Sequence, residues 1–166
     1  LNDLNLPDFI LSSTVSAGLR ATDVILEVTE TGAMEDLTTA LDVLSRLRLK
    51  GFGLSIDDFG IGYSSFEQLA RIPFTEMKLD HSFVNKGVED AAARAILESS
   101  MDMAHKLNLS TVAEGVETEL DLKLVRSLGC DLVQGYFIAK PMPVKDLIVW
   151  LDKRRTIKRN SDSHGK

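Results

Sequence analysis

The feature that most constrains this chain is a regular alternation of short apolar runs with segments of helical period. Runs rich in Val, Ile and Leu fall at 24–28, 52–56, 76–79, 110–113 and 132–137, the length and composition of buried strands. Between them, Leu37, Ala40, Leu41, Leu44 and Leu47 repeat at helical spacing, with Glu35 and Asp36 in the first turn and Gly51 placed to close the helix. Further helices are predicted at 8–19, 92–107 and 120–128, with a shorter one at 66–71 that stops before Pro73. Such alternation predicts an α/β fold, a parallel sheet covered by helices. Five strands fit either a small doubly wound sheet or most of a (β/α)8 barrel. A complete barrel takes about 250 residues; at 166 residues this chain would be short by three strands, and the pattern alone leaves both options open.

Each predicted strand ends on polar groups where a core would continue with apolar ones. They are Glu27 and Glu30, Asp57 and Asp58, Lys78 and Asp80, Glu114 and Glu117, and Gln134. In parallel α/β folds the C-terminal strand ends form one rim, where ligands bind, so these residues are expected to converge. Two carboxylates about 4 Å apart repel by about 4 kcal/mol at an effective dielectric near 20. Either some of them take up protons or cations sit among them. Oxygen donors without nearby Cys or His suit Mg²⁺ or Mn²⁺ rather than zinc. Adjacent Asp57 and Asp58 could serve two ions, the arrangement used for in-line phosphodiester displacement. A lysine among them can position an attacking water or take up phosphate charge. Each residue alone also has a plainer reading: Asp57-Asp58 as a turn or cap, Glu27 as a paired structural carboxylate, His81 as a non-ligand and Cys130 as a packed thiol.

Charge and hydropathy narrow the partners. The net charge is −6; residues 152–166 hold six Lys or Arg against two Asp, leaving −10 on the rest. An acidic body excludes a duplex nucleic-acid footprint, and the stretch 152–166 reads as a basic, disordered tail behind a domain spanning 1–151. No apolar run approaches the roughly 20 residues of a membrane span.

Six segments in this order resemble the EAL family of cyclic-di-GMP phosphodiesterases. They are Leu26-Glu27-Val28-Thr29-Glu30, the run from Asp57-Asp58-Phe59-Gly60 through Tyr63-Ser64-Ser65, Lys78-Leu79-Asp80-His81-Ser82-Phe83, Ala113-Glu114-Gly115-Val116-Glu117-Thr118, Gln134-Gly135-Tyr136-Phe137 and Lys140-Pro141-Met142-Pro143. The resemblance implies a TIM-like barrel that hydrolyses cyclic di-GMP to linear pGpG with two Mg²⁺ or Mn²⁺ ions in the cytoplasm. It implies Glu27 and Asp57 as first-metal ligands, with Asp57 bridging, and Asp58 and Glu114 on the second-metal side. Lys78 matches the lysine that orients or activates the water nucleophile, with Glu117 as its hydrogen-bonding support. Glu30 matches the glutamate that holds the 58–65 loop, which carries Gly60 and Tyr63 and is tied to homodimerisation. Asp80 and Gln134 match polar groups around the metals and the scissile phosphate. The resemblance further implies an upstream regulatory domain.

The sequence also departs from the family pattern. No Glu-Ala-Leu motif occurs, and Asn2 and Asn5 do not replace a second upstream ligand, an asparagine. Those two ligands are expected in a preceding part of a longer protein. Ile61 stands where threonine is usual, and His81 where arginine is usual. The competing expectation is a domain that binds cyclic di-GMP without hydrolysis, or one that only dimerises.

Overall fold

The computed structural model describes residues 1, 3–34, 36–59 and 70–162. It opens with α1 (Leu6–Ser16), whose Pro7 sits in the first turn, where its missing N–H removes no helix bond. The sequence places this helix at 8–19, but Gly18 at φ 75° stops it earlier, and the Leu19 N–H folds back to the Thr14 carbonyl. A short 3-10 turn leads into β1 (Ile25–Thr29), α2 (Glu30–Met34) and α3 (Leu37–Leu49). Asp36 caps α3 by accepting the Thr39 N–H, and Gly51 ends it at φ 99°. The order continues β2 (Gly53–Phe59), β3 (Glu76–Leu79), α4 (His81–Lys86), α5 (Ala91–Lys106), β4 (Ser110–Ala113), α6 (Glu119–Ser127), β5 (Leu132–Val133) and α7 (Val144–Asp162). Thus α7 runs past residue 151 into the basic stretch.

All five strands are parallel, and their spatial order is the order in sequence, β1-β2-β3-β4-β5. A doubly wound sheet reverses its strand order at a switch point; this one does not, so the architecture is five consecutive units of a barrel. Among the described residues β1 and β5 each pair on one side only, and the barrel is incomplete. Alternation divides the side chains between two faces. Leu54, Ile56, Met77 and Leu79 are buried beneath the helices with Leu44, Leu47, Leu97 and Met101. Glu27, Ser55, Asp57, Glu76 and Lys78 alternate with them on the inner face. Ile25 and Leu132 also fall there by alternation, and at the two open edges both are exposed.

Strand β5 is shorter than the run 132–137. Gln134 still donates to Ala113, but a Cβ on Gly135 would stand 2.1 Å from the Val116 carbonyl oxygen, so only glycine passes there. Beyond it the chain turns, with Ile138 and Ala139 N–H groups closing on the Gly135 carbonyl. At the other end of β3, the Thr75 hydroxyl takes the place of a strand neighbour, accepting from Leu54 N–H at 3.0 Å and donating to its carbonyl at 2.9 Å.

Candidate active site

The C-terminal ends of β1 to β4 bring four of the predicted residues into contact. The Lys78 ammonium lies 2.7 Å from Glu114 Oε1, 3.0 Å from Asp57 Oδ1 and 3.1 Å from Glu27 Oε2. β1 and β3 are two strands apart, about 10 Å, and the long Glu27 and Lys78 side chains span that distance over β2. The Lys78 side chain is 8% exposed, Glu114 17% and Asp57 22%, whereas Glu27 at the open edge is 54% exposed. Burial pushes the Lys78 ammonium toward losing its proton, but the carboxylates, Glu114 foremost, more than reverse this, and its pKa stands above the ordinary lysine value. Lys78 is therefore a fixed positive charge amid the acidic groups.

Strand alternation alone would point Asp57 and Asp58 to opposite faces. The ladder between β2 and β3 shows why it does not. Ile56 pairs with Met77 and Phe59 with Leu79, so Asp57 and Asp58 together oppose Lys78 alone, a β-bulge. Asp58 occupies the left-handed region at φ 55°, which aspartate tolerates better than most residues, and its N–H donates to Asp57 Oδ1 at 3.1 Å. Oxygens of Asp57, Asp58 and Glu114 consequently lie within 4.8 Å of one another. Their chemistry, oxygen donors only and carrying more negative charge than Lys78 balances, fits a hard divalent cation.

The other predicted residues are placed differently. Asp80 is buried and caps α4, accepting from the Ser82 N–H at 2.8 Å and lying 2.9 Å from His81 Nδ1. Burial acts to raise its carboxyl, but Ser82 and His81 outweigh that and leave it below the ordinary aspartate range. Glu30 is buried at the first position of α2. Gly60, Tyr63 and the rest of the loop through Ser65 lie outside the described residues, as does most of the helix read at 66–71. Glu117 and Gln134 are exposed and line a cleft of about 420 Å³ with Gly115, Tyr136, Lys140 and Met142. The Lys140 ammonium stands 5.6 Å from the Tyr136 ring centroid, a cation–π distance. The ion pairs of Lys78 are with Glu27, Asp57 and Glu114, and Glu117 belongs to the cleft beside them.

Gly115 joins the two parts of the rim. Its φ of 63° is left-handed, and a Cβ there would stand 2.4 Å from the His81 Cβ, so β3 and β4 approach closely at their ends. One residue that shapes this loop was missed in the sequence. Asp121 accepts N–H bonds from Glu117 and Thr118; Thr118-x-x-Asp121, a variant of the capping box, is the signal that marks it.

The family model of the EAL domain matches residues 1–141. The bifunctional diguanylate cyclase/cyclic di-GMP phosphodiesterase MucR of Pseudomonas aeruginosa is 41% identical over 143 residues, covering 86% of this chain and 21% of that protein. The solved PaMucR phosphodiesterase, a c-di-GMP complex, superposes with a TM-score of 0.83 at 40% identity over 86% of this chain and 58% of that one. BlrP1 of Klebsiella pneumoniae, in a manganese/cy-diGMP complex, superposes with a TM-score of 0.76 at 35% identity over 81% of this chain and 34% of that one. The chain thus spans about a fifth of the length of the curated relative MucR.

Proposed function

This chain belongs to the EAL domain family, and on that premise we propose that the protein hydrolyses cyclic di-GMP to linear pGpG with the help of two divalent ions, Mg²⁺ or Mn²⁺. The observation that carries the proposal is the convergence of Asp57, Asp58 and Glu114 oxygens within 4.8 Å, around a lysine held by three carboxylates. Glu27 and Asp57 would hold the first ion, Asp57 reaching to the second, and Asp58 and Glu114 would complete the second. When bound, the ions supply positive charge at the phosphodiester and acidify a water molecule.

The chain's own groups do the rest. Lys78 directs its three ammonium hydrogens at Glu27, Asp57 and Glu114 and keeps them turned inward; a hydrogen released from one of these carboxylates would serve the attacking water or a phosphate oxygen, where a positioned donor favours the charge that develops. Hydrolysis forms one bond from water oxygen to phosphorus, breaks the bond from phosphorus to the ribose oxygen and leaves a proton on that oxygen. Gln134 and Glu117 face the substrate from the cleft, whose aromatic Tyr136 and apolar Met142 suit a base. Asp80 acts from behind, fixing the start of α4 at the end of β3. Glu30 is assigned to the support of the loop that holds Gly60 and Tyr63. A homodimer, a further regulatory domain and a cytoplasmic location belong to the same reading; no described helix is long and apolar enough to cross a membrane.

Calorimetric titration with cyclic di-GMP, with and without Mn²⁺, tests the proposal. Saturable binding that Mn²⁺ strengthens and Glu114→Gln weakens is expected. Binding indifferent to both would contradict it.

A further inference from the structure

The segment from Glu114 to Thr118 carries one carboxylate of the acidic cluster at its start and one of the cleft near its end. Its backbone is held in two ways. Glu114 N–H donates to the Leu79 carbonyl, Val116 N–H to the Gln134 carbonyl, and Phe137 N–H to the Val116 carbonyl, so the inner half is tied to neighbouring strands. In the outer half the two N–H groups share one acceptor: Asp121 Oδ2 accepts from Glu117 N–H at 3.1 Å and Thr118 N–H at 2.8 Å. The Thr118 bond is what a capping box provides, together with Asp121 N–H to Thr118 Oγ1 at 3.1 Å. The Glu117 bond is additional. Asp121 is 4% exposed, although an exposed carboxylate would cap α6 without the cost of removing a charge from water.

We propose that Asp121 is a positioning residue for Glu117: its buried carboxylate fixes the outer half of the 114–118 loop so that Glu117 faces the cleft, while Glu114 is held independently. This rests on the reading that the cleft takes part of the cyclic dinucleotide. The separation of the two supports gives a split that general loss of stability would not produce. Asp121→Ala raises the KM for cyclic di-GMP about tenfold, the effect of losing a bond or two to a charged acceptor, and speeds amide exchange at 117–118. It leaves Mn²⁺ affinity within about twofold. Asp121→Asn, whose carboxamide oxygen can accept the same two bonds, stays close to wild type throughout.

Asp121→Glu separates positioning from capping. It keeps the capping-box bond to the Thr118 N–H, yet its longer side chain moves the acceptor away from the Glu117 N–H and raises KM. The proposal is overturned if Asp121→Ala leaves KM and exchange unchanged, or weakens Mn²⁺ as much as nucleotide. Wild-type KM in Asp121→Glu, or an Asp121→Asn as impaired as the alanine variant, overturns it equally. If the wild-type protein takes no cyclic di-GMP, the functional reading fails, and exchange at 117–118 still decides whether Asp121 holds Glu117.

Discussion

Replacing Lys78 by methionine isolates the electrostatics of the site. The change keeps most of the volume and removes the ammonium that lies 2.7–3.1 Å from three carboxylates. Glu27 is more than half exposed, and its share is screened by water. Asp57 and Glu114 are mostly buried and have oxygens within 4.8 Å of each other, a repulsion of at least about 3.5 kcal/mol at an effective dielectric of 20. Removing one partner of a buried ion pair costs about 3–5 kcal/mol by general experience, which agrees. At about 2–4 °C per kcal/mol for a domain of this size, Lys78→Met should melt roughly 6–20 °C below wild type in EDTA. Divalent ions bound as proposed would compensate the same carboxylates, and an ion at a hundred times its Kd adds about 2.7 kcal/mol. Mn²⁺ should therefore raise the melting temperature of the variant more than that of the wild type, while hydrolysis stays lost. Differential scanning fluorimetry in EDTA and in Mn²⁺ reads both effects. A variant that melts within about 2 °C of wild type in EDTA, or gains no more from Mn²⁺, would refute the assignment of Lys78 as the charge that holds the cluster.

Other perturbations have equally definite outcomes. Gly115→Ala adds a Cβ 2.4 Å from that of His81 at a φ of 63°; it should cost more than the 1–2 kcal/mol of left-handed backbone alone and reduce Mn²⁺ affinity by displacing Glu114, which calorimetry checks. Thr75→Val strips two hydrogen bonds from Leu54 and should lower stability by about 1–3 kcal/mol in urea titration, with Mn²⁺ affinity unchanged. Ser55 Oγ is buried without a hydrogen-bond partner among the described residues, so Ser55→Ala should be neutral or stabilising in the same titration. Asp131 is held below the ordinary aspartate range by Thr111, whose N–H and hydroxyl contact it at 2.8 and 2.9 Å. A lowered folded-state pKa means its stabilisation is present above the unfolded aspartate pKa near 3.9 and lost as pH falls through the folded value. Asp131→Asn should therefore narrow its deficit against wild type as pH drops below about 4.

The strands were legible because each is a short run of branched apolar residues, and the rim was legible because Glu27, Asp57, Lys78 and Glu114 interrupt such runs where a core would not. The C-terminal end of helix α3 was legible because Gly51 can take the positive φ that closes a helix. What escaped the sequence depends on geometry between segments. The bulge that turns Asp57 and Asp58 to one side arises from register against Lys78, which composition does not encode. Asp80 follows a strand like the cluster residues, yet the Ser82 N–H two residues on draws it into a cap. The shortness of β5 comes from the approach of Gly135 to Val116, and the role of Asp121 from a bond to Glu117 that capping rules do not require. The choice between a doubly wound sheet and a barrel, open in the sequence, was decided by strand order alone.

The account rests on Asp57, Asp58 and Glu114 acting with divalent ions on a cyclic dinucleotide. The most direct test is to incubate the protein with cyclic di-GMP and Mn²⁺ and follow the nucleotides by chromatography, with Glu114→Gln and EDTA as controls. The account predicts linear pGpG from the wild type and little or none from either control. Intact cyclic di-GMP in every sample, or the same product yield with Glu114→Gln, would contradict it.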